Sequence, residues 1–206
     1  MIEQRTDEWF AQRCGRVTAS RIADVMAKTK IGYGASRANY MAQLVAERMT
    51  GNVEQSYTNA AMQWGIDTEP QAVEAYEALK LCQVDPAPFV VHPSIPDAGA
   101  SPDGLVGEYG LIECKCPNTA THIDTLLKGK IADKYVKQMQ WQMACTGRQW
   151  CDFVSYDPRL GSDLALFVQR VDRDDDLIVQ IEDAVVQFIN EIEGQVSQLK
   201  RIKEAA

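Results

Sequence analysis

The chain has 206 residues and a mass of 23.0 kDa, enough for one full domain with a buried core, and two small domains are the weaker alternative. Hydrophobic residues make up 46% and charged residues 24%, which excludes a disordered chain, a collagen-like repeat and a coiled coil. No window approaches the roughly 20 apolar residues of a membrane-spanning helix, and the first residues lack a signal-peptide pattern. We therefore expect a single domain over residues 1–206, cytoplasmic and without a membrane partner.

The net charge is −8 and the isoelectric point is about 4.8. Taken alone, this acidity argues against a nucleic-acid-binding protein, which usually carries a basic face. It does not exclude one, because basic residues can be gathered in one groove and a metal site adds acidic residues.

Apolar periodicity predicts the secondary structure in chain order. The predicted elements are a helix over 7–13, a helix from Ser20 to about residue 27, a loop over 28–36, helices over 36–50 and 58–80, strands over 89–91 and 111–116, a helix over 133–146, strands over 149–156 and 164–171, and a helix over 174–200. Pro70 is expected to interrupt the helix over 58–80, with Thr68 capping a second segment. Turn signals at Asp103-Gly104 and Tyr109-Gly110 indicate a hairpin. This order indicates an α/β fold with a mixed central sheet flanked by helices.

Six cysteines lie at positions 14, 82, 114, 116, 145 and 151. Without a secretory signal they are expected to be reduced thiols. The spacing of Cys114 and Cys116 is weak evidence for a metal site, and their shared strand face predicts buried core thiols instead.

The most informative segment spans residues 101–117. Side chains alternate along a strand, so Glu113 and Lys115 share one face, while Ile112 and Cys114 lie on the other, apolar face. Asp103 precedes the hairpin and can return beside Glu113. Two carboxylates that hold one or two divalent ions, next to a lysine, suit phosphodiester hydrolysis, and oxygen ligands favour Mg²⁺ or Mn²⁺ over zinc. A surface salt bridge on an exposed strand face is the competing interpretation.

One spacing resembles the PD-(D/E)-x-K nuclease signature: Pro102-Asp103 is followed, after nine intervening residues, by Glu113-Cys-Lys115. Further short motifs follow the same order as in one family, at 8–15 (EWFAQRCG), 17–20 (VTAS), 64–69 (WGIDTE), 101–104 (SPDG), 113–117 (ECKCP), 138–140 (QMQ) and 156–158 (YDP). Over roughly residues 6–190 the chain thus resembles the phage lambda exonuclease family, the YqaJ-like viral recombinases.

The resemblance implies a restriction-endonuclease-like core and a Mg²⁺-dependent exonuclease, encoded by a phage or prophage, in which Mn²⁺ can substitute and two ions occupy each site. Such an enzyme digests one strand of duplex DNA from a 5′-phosphorylated end and leaves a 3′ overhang for recombination in the bacterial cytoplasm. It also implies a homotrimeric ring and a single-strand annealing protein as partner. A ring suits the charge of −8, because basic residues can line a channel while acids face outward.

By the same resemblance, metal is held by Asp103, Glu113, the backbone carbonyl of Cys114 and Glu69. Lys115 corresponds to the catalytic lysine, and Gln138 to a glutamine near the site. The alternative interpretations, from the residues alone, are that Glu69 is a first-turn acid that interacts with the helix dipole and that Gln138 is an exposed helix residue.

The groups expected to bind the 5′-phosphate are Arg13, Ser20 and Ser101. Arg13 offers a bidentate fork and Ser20 falls at a predicted helix N-terminus, although a solvated arginine and a plain N-cap serine are the ordinary alternatives. Lys30, in a basic finger with Lys28 and Arg37, is expected to follow the duplex, with an ordinary solvated loop as the alternative. Met62 corresponds to an apolar wedge at the duplex end, with a core position as its alternative.

The sequence is also compatible with two rival functions: a DNA-end-binding module without catalysis, and a sequence-specific endonuclease on the same core. The presence of Asp103, Glu113 and Lys115 together argues against the first rival. The phosphate-binding segment around Arg13 and Ser20 argues against the second.

Overall fold

A computed structural model describes residues 4–30, 32–53 and 59–205 of the protein. Its helices are α1 (Asp7–Arg13), α2 (Ile22–Val25), α3 (Ala35–Thr50), α4 (Ala60–Lys80), α5 (Thr119–Lys128), α6 (Asp133–Thr146) and α7 (Asp175–Ala205). Its strands are β1 (Val17–Thr18), β2 (Lys28–Thr29), β3 (Gly32–Tyr33), β4 (Val84–Asp85), β5 (Val90–Val91), β6 (Ala98–Ala100), β7 (Gly104–Val106), β8 (Gly110–Lys115), β9 (Trp150–Tyr156) and β10 (Leu166–Asp172).

The central sheet has the strand order β10-β9-β8-β7-β4. Strands β8 and β9 are parallel, with α5 and α6 in the connection between them, and the other neighbours are antiparallel. A smaller sheet joins β1, β6 and β5. The architecture is therefore α/β with a mixed sheet, as the sequence predicts.

Helices cover both faces of the central sheet. On one face, Met139 and Met143 of α6 pack against Leu111 and Phe153. On the other, α4 packs against an apolar strand face. The residues of that second cluster include Ala72, Tyr76, Ile112, Cys114 and Val154, with Cys116 at its edge. Cys114 and Cys116 are thus core thiols, and all six cysteines are unpaired.

Helix α4 is continuous through Pro70, so the predicted break there is wrong. Proline removes one hydrogen bond of the helix ladder, but the buried residues Thr68, Ala72 and Tyr76 bracket it and hold the helix to the core. Thr68 is therefore a packing residue rather than a cap. The cap is Asn59, whose side chain accepts a hydrogen bond from the backbone N–H of Met62 at 2.9 Å. The predicted start at residue 58 lies outside the described residues.

Two other local predictions are wrong. Residues 28–36 contain a small hairpin of β2 and β3, and α3 begins at Ala35. Ser20 lies within a 3₁₀ turn, Ala19–Arg21, whose N-cap is Thr18, so it does not begin an α-helix. The predicted hairpin is confirmed, because Asp103 lies at a bend before β7 and residues 107–109 form the turn between β7 and β8.

Helix α5 is absent from the sequence-based prediction although its caps follow known rules. The Asn118 side chain accepts a hydrogen bond from the N–H of Thr121 at 2.9 Å, and Gly129 ends the helix with a φ of +56°. Two of its large apolar side chains, Ile123 and Leu127, are exposed, which weakens the pattern that predicts a core-facing helix.

In the described ranges, no helix combines the length and the apolar character needed to cross a membrane.

Candidate active site

Glu113 and Lys115 share one face of β8, as the alternation of a strand requires. The Glu113 side chain is completely buried, and its Oε1 atom contacts the Lys115 ammonium group, whose side chain is 28% exposed. An exposed surface salt bridge is therefore the wrong interpretation. A buried carboxylate requires compensating partners, because its desolvation is costly, and one such partner is the lysine.

Two glutamines of α6 supply the other partners of Glu113. Gln138 donates from Nε2 to Oε1 of Glu113 at 2.6 Å, and Gln142 donates from Nε2 to Oε2 at 2.5 Å. Residues four apart lie on the same face of a helix, so α6 presents both amides to one carboxylate. Gln138 is buried, which makes the interpretation as an exposed helix residue wrong.

Gln142 was not identified from the sequence. Its i+4 spacing from Gln138 was the available signal, since two amides on an otherwise apolar stripe need buried partners.

Asp103 directly precedes β7, and the pairing of Gly104 with Ile112 brings it beside Glu113. Its Oδ2 atom accepts a hydrogen bond from the Cys114 backbone N–H at 2.7 Å. Burial raises the pKa of Asp103 well above its usual range, and the charges of Glu113 and Glu69 raise it further, against the opposing effect of Lys115. The carboxylates of Glu113, on β8, and Glu69, on α4, thus both act electrostatically on Asp103.

Asp103, Glu113, Lys115 and Glu69 form an acid–lysine cluster, and its three carboxylates fit a hard divalent cation. Closely spaced carboxylates repel one another unless positive charge lies among them, and carboxylate oxygens are the ligands that Mg²⁺ and Mn²⁺ prefer. In the described structure no three His, Cys, Asp or Glu side chains form a ready metal-binding group. Glu69 instead pairs with Arg5 at 3.0 Å.

Arg13 and Ser101, two of the residues predicted to bind phosphate, are joined by a hydrogen bond, and Ser101 lies two residues before Asp103. The Ser101 hydroxyl accepts hydrogen bonds from Trp9 Nε1 at 3.0 Å and from Arg13 Nη1 at 3.2 Å. The Arg13 guanidinium also lies 4.0 Å from the centre of the Trp9 ring, and burial lowers its pKa. Across the described residues Arg13 has no ion pair. The charge of Glu47 acts on Arg13 from beyond ion-pair distance, so this half-buried cation can still bind an anion such as phosphate.

The remaining predicted DNA contacts lie at the surface. Ser20 and Lys30 are exposed, and Met62, in the first turn of α4, is 46% exposed, so its interpretation as a core residue is wrong. Arg37 does not belong to a basic finger. It is buried, and its guanidinium binds both oxygens of Glu191 at 2.7 and 3.1 Å.

A mixed sheet between helices, with an Asp–Glu–Lys cluster at the end of its central strands, defines the restriction-endonuclease-like class of α/β fold. The sequence matches the family model of the YqaJ-like viral recombinase domain over residues 8–149. The chain belongs to this family.

Solved structures agree with that assignment. The chain is 54% identical to an alkaline exonuclease, LHK-Exo, from Laribacter hongkongensis, with 97% of this chain and 99% of that chain covered and a TM-score of 0.91. A second structure of LHK-Exo, in complex with dAMP, matches equally well. A phage-related exonuclease from Haemophilus somnus 129PT shares the fold at 15% identity, with 89% of this chain and 96% of that chain covered and a TM-score of 0.71. Among curated proteins no match is found.

Proposed function

We propose that this protein is a metal-dependent 5′→3′ exonuclease that degrades one strand of linear double-stranded DNA and leaves 3′ single-stranded overhangs for phage-type recombination in the bacterial cytoplasm. The observation that carries the proposal is the buried Glu113, held by Lys115, Gln138 and Gln142 beside Asp103. The 54% identity to an alkaline exonuclease over nearly the whole chain supports the same activity.

Asp103 and Glu113 would hold the metal, together with the backbone carbonyl of Cys114, and Glu69 would complete the set after leaving Arg5. Mg²⁺, or Mn²⁺ in its place, would supply the polarisation of the scissile phosphate and the activation of a water, and two ions are expected per site. Gln138 and Gln142 fix the orientation of Glu113. Lys115 contacts Glu113, where its ammonium group would orient the water or stabilise charge that develops on the phosphate.

Arg13 and Ser101 would bind the 5′-terminal phosphate of the substrate strand. Ser101 lies two residues before Asp103, so a phosphate held there places the end of the strand next to the acid–lysine cluster. Ser20 would add a hydroxyl to the same group. The exposed Met62 would pack against the terminal base pair as a wedge, and Lys30 would contact the duplex backbone.

A homotrimeric ring would keep the enzyme on its substrate between cuts. The charge of −8 supports an arrangement in which the few basic surfaces face an enclosed channel. The 3′ overhang is the substrate of a single-strand annealing protein, which would be the recombination partner.

Strand polarity is tested with a linear duplex labelled at one terminus at a time. The label of a 5′-phosphorylated end is expected to appear early as mononucleotide, while the 3′-end label stays on a long strand until late in the reaction. Early release of the 3′ label would contradict the proposed polarity.

A further inference from the structure

The connection from α5 into α6 carries a concentrated set of lysines in an acidic protein. Two of the four are neutralised on their own helix, since Lys128 pairs with Asp124 at 2.7 Å and Lys137 pairs with Asp133 at 2.5 Å. The other two are Lys130 and Lys134, which are exposed. Within the described part of the chain, neither has an acidic partner at ion-pair distance.

The backbone that carries these two lysines is anchored to the core. Gly129, with a φ of +56°, ends α5 in the left-handed region and turns the chain. Ile131 then packs against the cluster around Leu111 and Met139, and the ring of Tyr135 stacks on Phe153 with centroids 5.5 Å apart. Lys130 and Lys134 therefore extend from a fixed segment, which lowers the entropy lost when they bind a ligand.

Tyr135 also connects this segment to the catalytic lysine. The Nζ atom of Lys134 lies 4.7 Å from the centre of the Tyr135 ring, and the Nζ atom of Lys115 lies 5.4 Å from the same centre. Lys134 is thus an unneutralised cation that contacts the same aromatic ring as Lys115. In the proposed reaction, Lys115 faces the phosphate that is cut.

We infer that Lys130 and Lys134 bind the phosphate backbone of the cleaved strand on the side next to the scissile phosphate. The inference rests on the proposed nuclease function and adds a strand-positioning surface to it. A polyanion is the ligand that fits two exposed, unpaired ammonium groups. In a protein of net charge −8, cations without acidic partners carry the attraction for DNA, because paired cations are largely compensated.

The test compares Lys130→Gln, Lys134→Gln and the double variant with wild type. Lys80→Gln, at the far end of α4, removes the same charge away from the acid–lysine cluster and serves as the control. Binding of a 5′-phosphorylated linear duplex is measured in EDTA by fluorescence anisotropy over a salt series. Each phosphate contact contributes about 1 to the slope of log affinity against log salt.

Each single variant is expected to lower that slope by about 1 and to weaken binding about 5- to 10-fold near 0.1 M salt. Lys134→Arg should restore wild-type binding. In Mg²⁺, KM should rise while kcat stays within about twofold, because neither lysine touches the reacting atoms. Slopes for both variants equal to that of Lys80→Gln would overturn the inference. A wild-type protein that binds the duplex but does not cut it would instead contradict the proposed function.

Discussion

Replacing Gln142 with Met tests whether the second amide of α6 holds Glu113 in place. The side chains of both residues are fully buried and their hydrogen bond measures 2.5 Å, while methionine keeps a similar volume. A hydrogen bond to a charged group contributes roughly 1.5–3 kcal/mol. For a chain of this length the variant should melt about 3–12 °C below wild type. Displacement of a catalytic group by about 1 Å costs about 100-fold in rate, so we expect kcat to fall 10- to 100-fold.

Gln140→Met is the matched control, since Gln140 is buried on the same helix but points elsewhere. It donates to the Asp172 carbonyl at 2.8 Å and accepts from the Asp174 N–H at 2.9 Å. Losing these two neutral hydrogen bonds costs about 1–3 kcal/mol, so its melting temperature should fall similarly while kcat is retained. Thermal melts and initial rates on linear duplex give both quantities. If Gln142→Met cuts as fast as Gln140→Met, the amide does not support catalysis.

Further predictions concern the lysine, the phosphate site, the acid stability and the assembly. Lys115→Ala should lower kcat about 100-fold or more and leave DNA binding in EDTA nearly unchanged; a rate within a few-fold of wild type would refute the catalytic role. Duplexes with a 5′-phosphate should be degraded about 10–100 times faster than 5′-hydroxyl duplexes, and equal rates would remove Arg13 from the phosphate site. Burial raises the pKa of Asp157, but hydrogen bonds from Arg159 and Thr119 outweigh it and lower the pKa to about 2. Because this folded-state pKa lies below that of the unfolded chain, the Asp157–Arg159 interaction stabilises the fold above about pH 4, and this stabilisation is lost towards pH 2. It amounts to at most about 2 kcal/mol, given the solvent exposure of Arg159. In urea unfolding, Arg159→Ala should lose less stability on acidification than wild type, and an equal loss would contradict this interaction. Light scattering should give a mass near three times 23.0 kDa, and a mass near 23.0 kDa would exclude the ring.

Long periodic helices were predictable because one apolar stripe repeats over several turns. Helix α6 spans Asp133–Thr146, the range that its pattern predicts, and α7 extends five residues beyond the predicted end. The break predicted at Pro70 is wrong because low helix propensity alone favours an interruption there, whereas burial of the neighbouring residues keeps α4 continuous. Helix α5 was not predicted from the sequence because two of its large apolar side chains face solvent, which weakens the apolar stripe.

The candidate site was predictable only in part. Strand alternation places Glu113 and Lys115 on one face, but it does not say what covers that face. The burial of Glu113 and its bond to Gln142 depend on where α6 packs, which is a contact across 29 positions of sequence. Arg13 and Ser101 are 88 positions apart, and only the fold brings them together.

The acid–lysine cluster is proposed to form a metal-dependent exonuclease site. The most direct measurement incubates linear and closed-circular duplexes of the same sequence with the protein and Mg²⁺, with and without EDTA. We expect digestion of the linear duplex alone, and none with EDTA. Cleavage of the circle would indicate an endonuclease, no cleavage of either form would indicate an end-binding module, and undiminished digestion in EDTA would contradict metal dependence.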